Sequence, residues 1–380
     1  MKKYLLFIAL LGWVTAGYAG IIPPTKGKAN VKSISTIEFA SDGTLFIGDS
    51  KSGVIFAIDL GDNTPSNPEE ALQIGDLEGQ IAAFLGTTSD EILIHDMAVN
   101  PISKNTYLSV SRARANWTSR WQLPNELSDA IILIRISPDG TMNEASLENV
   151  TYSVAQLPNP IDEQKEHRWK KGAKLRADAI TDIALHDGKL YVAGLSNEEF
   201  ASAMWVIPYP FDGSAEATTL EIYHGAHGAY ETHSPVRTFL PYDLNNKEHL
   251  IAAYLCTPLV TFETSNLKQG KHIKGRTVAE FGAGNYPIDM VSYKNGDKNY
   301  ILMSNSQLPL LIFDPADVAA FEGEINTEVE GYLAGVKYTP RSGSGISHLA
   351  DYNDKYIIAT QRMANGKLAI APLTKDWLSP

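Results

Sequence analysis

The chain has 380 residues, 44% of them hydrophobic and 20% charged, which are globular proportions with ample apolar material for a large core. Its formal net charge is −12 and it carries no basic run, which argues against nucleic acid as a partner, since that needs a clustered cationic surface. Cys256 is the single cysteine, so an intrachain disulfide, a CxxCH haem attachment and a cysteine-based zinc site are excluded too; within Ala252 to Cys256 it reads as a buried small hydrophobe.

The first element is an address. Lys2 and Lys3 precede the apolar run Tyr4 to Val14, and Gly17-Tyr18-Ala19 follows. A positive n-region, a short h-region and a small-residue cleavage site predict a signal peptide over residues 1–19 and export to the periplasm or the exterior. The apolar run is too short to span a bilayer comfortably, so no membrane span is expected after cleavage.

Residues 20–380 read as one repeat domain. Ile21 to Ser33, with Pro23 and Pro24, is a leader with one strand. The clearest unit is Thr181 to Leu195: a short strand, an Asp187-Gly188 hairpin turn and a second apolar strand. Degenerate copies lie at Thr36 to Asp49, Asp96 to Ser109, Arg237 to Tyr254, Asp289 to Ser304 and His348 to Thr360. Second strands begin at Thr44, Thr106, Lys189, His249, Asn299 and Lys355, spacings of 62, 83, 60, 50 and 56 residues. The long spacing absorbs an insert, Arg112 to Asp129 with Trp117, Arg120 and Trp121, and the basic segment Lys165 to Lys171. Leu72 to Leu77 is expected as the outer strand of the first unit, and the second unit is expected to run from Ile92 to Leu157. Short helical turns are expected at Pro124 to Ser128 and Pro315 to Phe321. A strand quartet repeated six times predicts an all-β, six-bladed β-propeller, in which radial repetition protects the sheet edges. A seven-bladed ring is the alternative, if residues 107–178 contain a further blade. The last unit has three strands, so the Ile21 to Ser33 strand is expected to complete it and close the ring.

The blade pattern, as in Ile37-Glu38-Phe39-Ala40-Ser41-Asp42-Gly43-Thr44-Leu45-Phe46-Ile47-Gly48-Asp49, resembles secreted propellers of the NHL, SMP-30 and YWTD-like superfamily over nearly the whole mature chain. The phrases Val192 to Phe200 and His233 to Phe239 resemble a bacterial secreted propeller family to which no activity attaches. The resemblance to SMP-30-type propellers implies a metal-dependent hydrolase, for example a lactonase.

In a propeller the first strand of each blade lines the tunnel. Aligning the six first strands by their apolar residues places Thr36, Asp96, Asp182, Arg237, Asp289 and His348 in one ring at the tunnel mouth. Crowded carboxylates raise a pKa or demand a cation. Asp96, Asp182, Asp289 and His348 are therefore the candidate metal ligands, with His348 or His233 as the candidate catalytic base. Thr36, Arg237, Asn197, Glu198 and Trp117 are candidate ligand-binding residues, in a mouth suited to a small polar molecule or a protein partner. Calcium suits the carboxylates; zinc or copper suits a site to which histidines contribute. His224 and His227, spaced His-x-x-His in a glycine-rich loop on the same face, are a weaker pair of that kind. Three functions remain open: a cation- or ligand-binding module, a metal-dependent hydrolase, and a quinone-dependent oxidoreductase, for which Arg237 and Arg362 would supply the cations.

Overall fold

The structure, a computed structural model, describes residues 21–112, 131–168, 170–255, 257–330 and 334–380. The expected signal peptide, the insert residues Trp117, Arg120 and Trp121, the Pro124 to Ser128 turn, Trp169 and Cys256 lie outside the described residues. Six small antiparallel sheets, with one local parallel pairing, form a six-bladed β-propeller. Blades are numbered I to VI by their innermost strands, which are Thr36–Phe39, Leu93–Val99, Asp182–His186, Val236–Leu244, Pro287–Asn295 and Ile346–Asp351.

Local chemistry makes these strands. The turn at Asp187 and Gly188 has φ of 45° and 70°, the two left-handed residues that a tight hairpin needs. Strands such as Leu45–Asp49 are buried along their whole length, because each blade packs both faces against neighbours. That is why apolar residues run on where a half-exposed sheet would alternate. Six apolar clusters fill the six interfaces between adjacent blades.

Those clusters fix the ring order, and it is not the sequence order. Ile37 and Ile47 of blade I pack with Leu133 of blade II on one side, and Phe46 and Ile55 pack with Ile183 and Trp205 of blade III on the other. Met97 and Leu108 of blade II pack with Ile358 and Ile370 of blade VI. The ring therefore reads I, III, IV, V, VI, II. After the third strand of blade I the chain steps backwards, builds blade II, and returns.

Three sequence expectations change as a result. Val150–Gln156 is not the outer strand of the second unit; it pairs with Val54–Asp59 and completes blade I. The N-terminal strand Ile21–Gly27 does not close blade VI; it pairs with Val150–Gln156 as a fifth strand of blade I. Its register shifts between Ile22 and Thr25, where Pro23 and Pro24 cannot donate to a ladder. Blade VI is instead bridged on its outer edge by Ile74, which exchanges backbone hydrogen bonds of 3.0 and 2.9 Å with Ile370. The expected strand Leu72 to Leu77 thus reduces to a single bridge on a different blade.

A helix follows it, Leu77–Leu85. Asp76 caps its N-terminus by accepting from the Gly79 N–H, and Gly86 ends it in the left-handed region. Leu77 and Ile81, one helical turn apart, pack into the cluster between blades II and VI. Arg362 grips the Glu78 carboxylate with both terminal nitrogens, one at 2.8 Å, and Lys367 meets Asp76 at 2.6 Å. Arg362, a candidate cation for a quinone, is engaged there. The short helix expected at Pro315 is present as Pro315–Ala320.

The backward step is anchored by Asp62. Its carboxylate accepts from Ser103 Oγ at 2.7 Å, Tyr107 OH at 2.8 Å and Asn105 Nδ2 at 3.0 Å, all in the first hairpin of blade II. Asp62→Ala would leave these donors without their common acceptor. It is expected to cost about 2–4 kcal/mol, read from the midpoint of urea unfolding; an unchanged midpoint would contradict the anchor.

Candidate functional site

Around the tunnel mouth the three aspartates repeat one arrangement. Asp96 Oδ1 accepts from the N–H of Met97, the next residue in its own strand, and Oδ2 accepts from the N–H of Ile37 on the neighbouring blade, both at 2.8 Å. Asp182 does the same with Ile183 at 2.9 Å and Phe239 at 2.8 Å. Asp289 does it with Met290 and Leu349, both at 2.7 Å. Blades II, III and V therefore each reach one neighbour, I, IV and VI in turn, always in the same direction round the ring. The receiving strands place Thr36, Thr238 and His348 just before the donated N–H. Thr36 Oγ1 adds a 2.8 Å bond to Asp96.

The structure thus brings Thr36, Asp96, Asp182, Arg237, Asp289 and His348 to the wall of one cavity. One alignment changes: Thr238, not Arg237, is the equivalent of Thr36. The register shifts between Val236 and Thr238, so Arg237 is an extra residue in a β-bulge. The shift between Ile94 and Asp96 likewise makes His95 an extra residue, and both re-aimed side chains line the cavity.

Sequence reasoning missed Glu38 as well. It lies two residues beyond Thr36, so strand alternation points it to the same side. Burial, then the charges of Asp182, Asp96 and Asp289, lift its carboxyl to about 8. Asp182 is raised to about 7, chiefly by burial, against the hydrogen bond from the Phe239 N–H. Burial also raises Asp96 and Asp289. His95 and His348 move the other way, to about 4, through burial first and then neighbouring positive charge, that of Arg237 included. The cavity has a volume of about 30 Å³, the space of one or two waters or an ion.

Of the other expected residues, His233, Asn197 and Glu198 lie elsewhere on the mouth face. His233 is exposed, its Nδ1 3.2 Å from Thr232 Oγ1. Glu198 accepts from Asn159 Nδ2 at 2.6 Å, and the Asn197 N–H bonds the Asn159 carbonyl at 2.9 Å, so both pin one loop to another. Trp117 lies outside the described residues.

A second cluster forms on the same face, at the outer edge of blade III. The strand Glu216–His224 ends in a one-turn 3-10 helix, Gly225–His227, and pairs back with Ala229–Glu231. The tight return brings the His227 ring against that of His224, with centroids 3.8 Å apart and the planes tilted by 48°. Glu231 Oε1 lies 3.0 Å from His224 Nδ1 and 2.7 Å from His227 Nδ1. Among the described residues, only this trio brings one ligand atom from each of three such side chains within 4.8 Å of one another. It can hold a metal ion. A tetrahedral ion with bonds of about 2.0–2.1 Å spaces its ligand atoms by roughly 3.3 Å, so Glu231 Oε1 has to draw back from both imidazoles, most from that of His227, to admit one.

The cluster has a supporting layer. His224 is fully buried, and its Nε2 lies 3.0 Å from Thr257 Oγ1. The Thr257 hydroxyl donates to the fully buried Glu280 carboxylate, which also accepts from the Ala226 N–H at 3.2 Å. Thr257 has φ +79°, a conformation that a β-branched residue adopts only where its surroundings hold it. An imidazole whose far nitrogen is oriented through a hydroxyl to a carboxylate is a typical support of a metal ligand. Two hydrogen bonds from the histidines outweigh burial and keep the Glu231 carboxyl below its usual range.

No family model matches the sequence, and no curated protein matches it. Among solved structures, hydrazine synthase of Kuenenia stuttgartiensis is similar at 13% identity and a TM-score of 0.40, over 91% of this chain and 97% of that one. The NHL and SMP-30 resemblance therefore rests on the blade pattern alone.

The tunnel makes stability depend on pH. Glu38 binds its proton more tightly folded than unfolded, so its contribution is complete below the unfolded value near 4.5 and is lost as pH rises through about 8. The two histidines have lowered folded values, so theirs is present above about 6.5 and lost as pH falls toward 4. Between pH 6.5 and 8.5 the carboxyls decide. Glu38→Gln is expected to remove on the order of 2 kcal/mol of the stability lost across that interval, in urea titrations at each pH. Parallel wild-type and variant curves would contradict the assignment.

Proposed function

We propose that this propeller is a transition-metal-binding protein that holds a zinc- or copper-class ion at His224, His227 and Glu231. The observation that carries the reading is the convergence of these three ligand atoms over the Thr257–Glu280 support. Two imidazoles and a carboxylate select zinc, copper, nickel or iron over calcium or magnesium. In the tunnel, by contrast, each aspartate oxygen already accepts a backbone N–H, and burial raises all three carboxyls and so disfavours their charged form. A water or a small cation fits there, whereas an organic ligand needs some 300–1,000 Å³.

Three protein ligands leave a fourth position open, the arrangement that catalytic zinc sites keep for water. This favours metal-dependent hydrolysis as a second reading, in which the ion, once bound, would polarise a carbonyl such as that of an ester or lactone and activate water. Export, proposed from Lys2, Lys3 and the apolar run after them, would place the site outside the cytoplasm. No described helix is long and apolar enough to cross a membrane.

Protein loaded with zinc and desalted is expected to retain about one ion per chain by elemental analysis, and the exposed-side variants His227→Ala and Glu231→Gln to retain none. Equal content in wild type and both variants would overturn the reading. Glu280→Gln, which keeps the side-chain volume, is expected to weaken zinc roughly 10–100-fold in competition with a chelator; unchanged affinity would show the relay to be structural. An ester and lactone panel that zinc leaves unaffected would remove the hydrolase reading.

A further inference from the structure

A cavity of about 710 Å³ lies away from both clusters, beside the outer strands of blade IV. It exists because the chain makes an excursion. After Leu259–Glu263 it leaves blade IV, lays His272–Lys274 parallel to the last long strand of blade III, and returns as Arg276–Glu280. Gly275 marks the return: a Cβ there would sit 2.3 Å from Val260 and 2.5 Å from Phe262, so the backbone is pressed onto the blade. The excursion forms one wall of the cleft and blade IV the other.

The charge of the cleft runs against that of the chain. Lys268, Lys271, Lys274 and Arg276 line it, with Glu263 as the only carboxylate among the lining residues, in a protein of formal net charge −12. Some of this charge is answered locally: Lys268 lies 3.7 Å from Glu216, Lys274 2.7 Å from Glu221, and Glu263 2.9 Å from Lys247. Lys271 has no ion-pair partner among the described residues. Arg276 is held in place, its Nε donating to Thr261 Oγ1 at 3.4 Å and its Nη1 to the Phe321 carbonyl at 2.6 Å, while Nη2 makes no hydrogen bond among the described residues. A guanidinium fixed in this way loses little freedom on binding, and its free edge suits an oxyanion. Phe262 and Ile273 give the cleft an apolar floor.

We propose that this cleft is a binding site for a small multivalent oxyanion of the phosphate class, seated on Arg276 and Lys271 with Lys268 and Lys274 at its rim. The volume suits a small organic phosphate, and the floor suits its apolar part. The site is independent of the metal cluster.

Inorganic pyrophosphate, titrated calorimetrically into the full chain at low and at high salt, is the test. It is done on the His227→Ala background so that chelation by a bound metal contributes no heat. Binding in the millimolar range or tighter is expected, weakened by salt, at least tenfold weaker in Arg276→Gln and several-fold weaker in Lys271→Gln. Lys298→Gln, on a different blade, is expected to leave it unchanged. Should Arg276→Gln fail to fold, the double variant Lys268→Gln, Lys271→Gln decides, since both side chains are exposed. No binding heat up to about 10 mM, or equal affinity in the wild type and the cleft variants, overturns the proposal. Citrate separates the ligand classes: binding as tight as that of pyrophosphate would contradict a phosphate-class site.

Discussion

A propeller must hold its innermost strands together around a tunnel where no sheet hydrogen bonds pass from blade to blade. Asp96, Asp182 and Asp289 meet that constraint. Each carboxylate takes one N–H from its own strand and one from the next blade, so three aspartates join six blades in pairs. Each such hydrogen bond contributes roughly 0.5–1.5 kcal/mol, and up to about 3 kcal/mol while its carboxylate is charged. The consequence is acidity in a confined space. With Glu38 added, four carboxyls face the tunnel, and their raised pKa values follow from burial and from one another. Perturbed titration marks a functional site only probabilistically; here a structural demand accounts for it.

Much of the fold was legible because blades announce themselves. Six strand pairs with tight turns, such as Asp187-Gly188, give the blade number, and apolar strands give the buried faces. The order of blades was not legible. Nothing local distinguishes a third strand that leads onward from one that leads back, and the bridge at Ile74 to Ile370 spans most of the chain. The helix at Leu77–Leu85 had a signal in the Asp76 cap and the Leu77, Ile81 spacing, but the short apolar run Leu72 to Leu77 also reads as a strand.

The candidate site divides the same way. The aspartates and His348 lie where strand periodicity puts them. Arg237 reaches the cavity for a different reason, because a bulge inserts it and moves Thr238 into the ring position. The rim cluster was half legible: His224 and His227 stand out in the sequence, whereas Glu231 joins them only through the hairpin that folds Ala229–Glu231 back. Thr257 and Glu280 come from blade IV and have no sequence signal at all.

On the proposed reading, labour is divided between axis and rim. The axis uses its carboxylates to hold the ring, and the loop chemistry between blades III and IV supplies the converging ligands. Anomalous scattering at the zinc edge, from a crystal soaked in zinc, tests this division directly. The account predicts one strong peak about 2.0–2.2 Å from His224 Nδ1, His227 Nδ1 and a Glu231 oxygen, with none in the tunnel. A peak among Asp96, Asp182 and Asp289, with the rim empty, would contradict it.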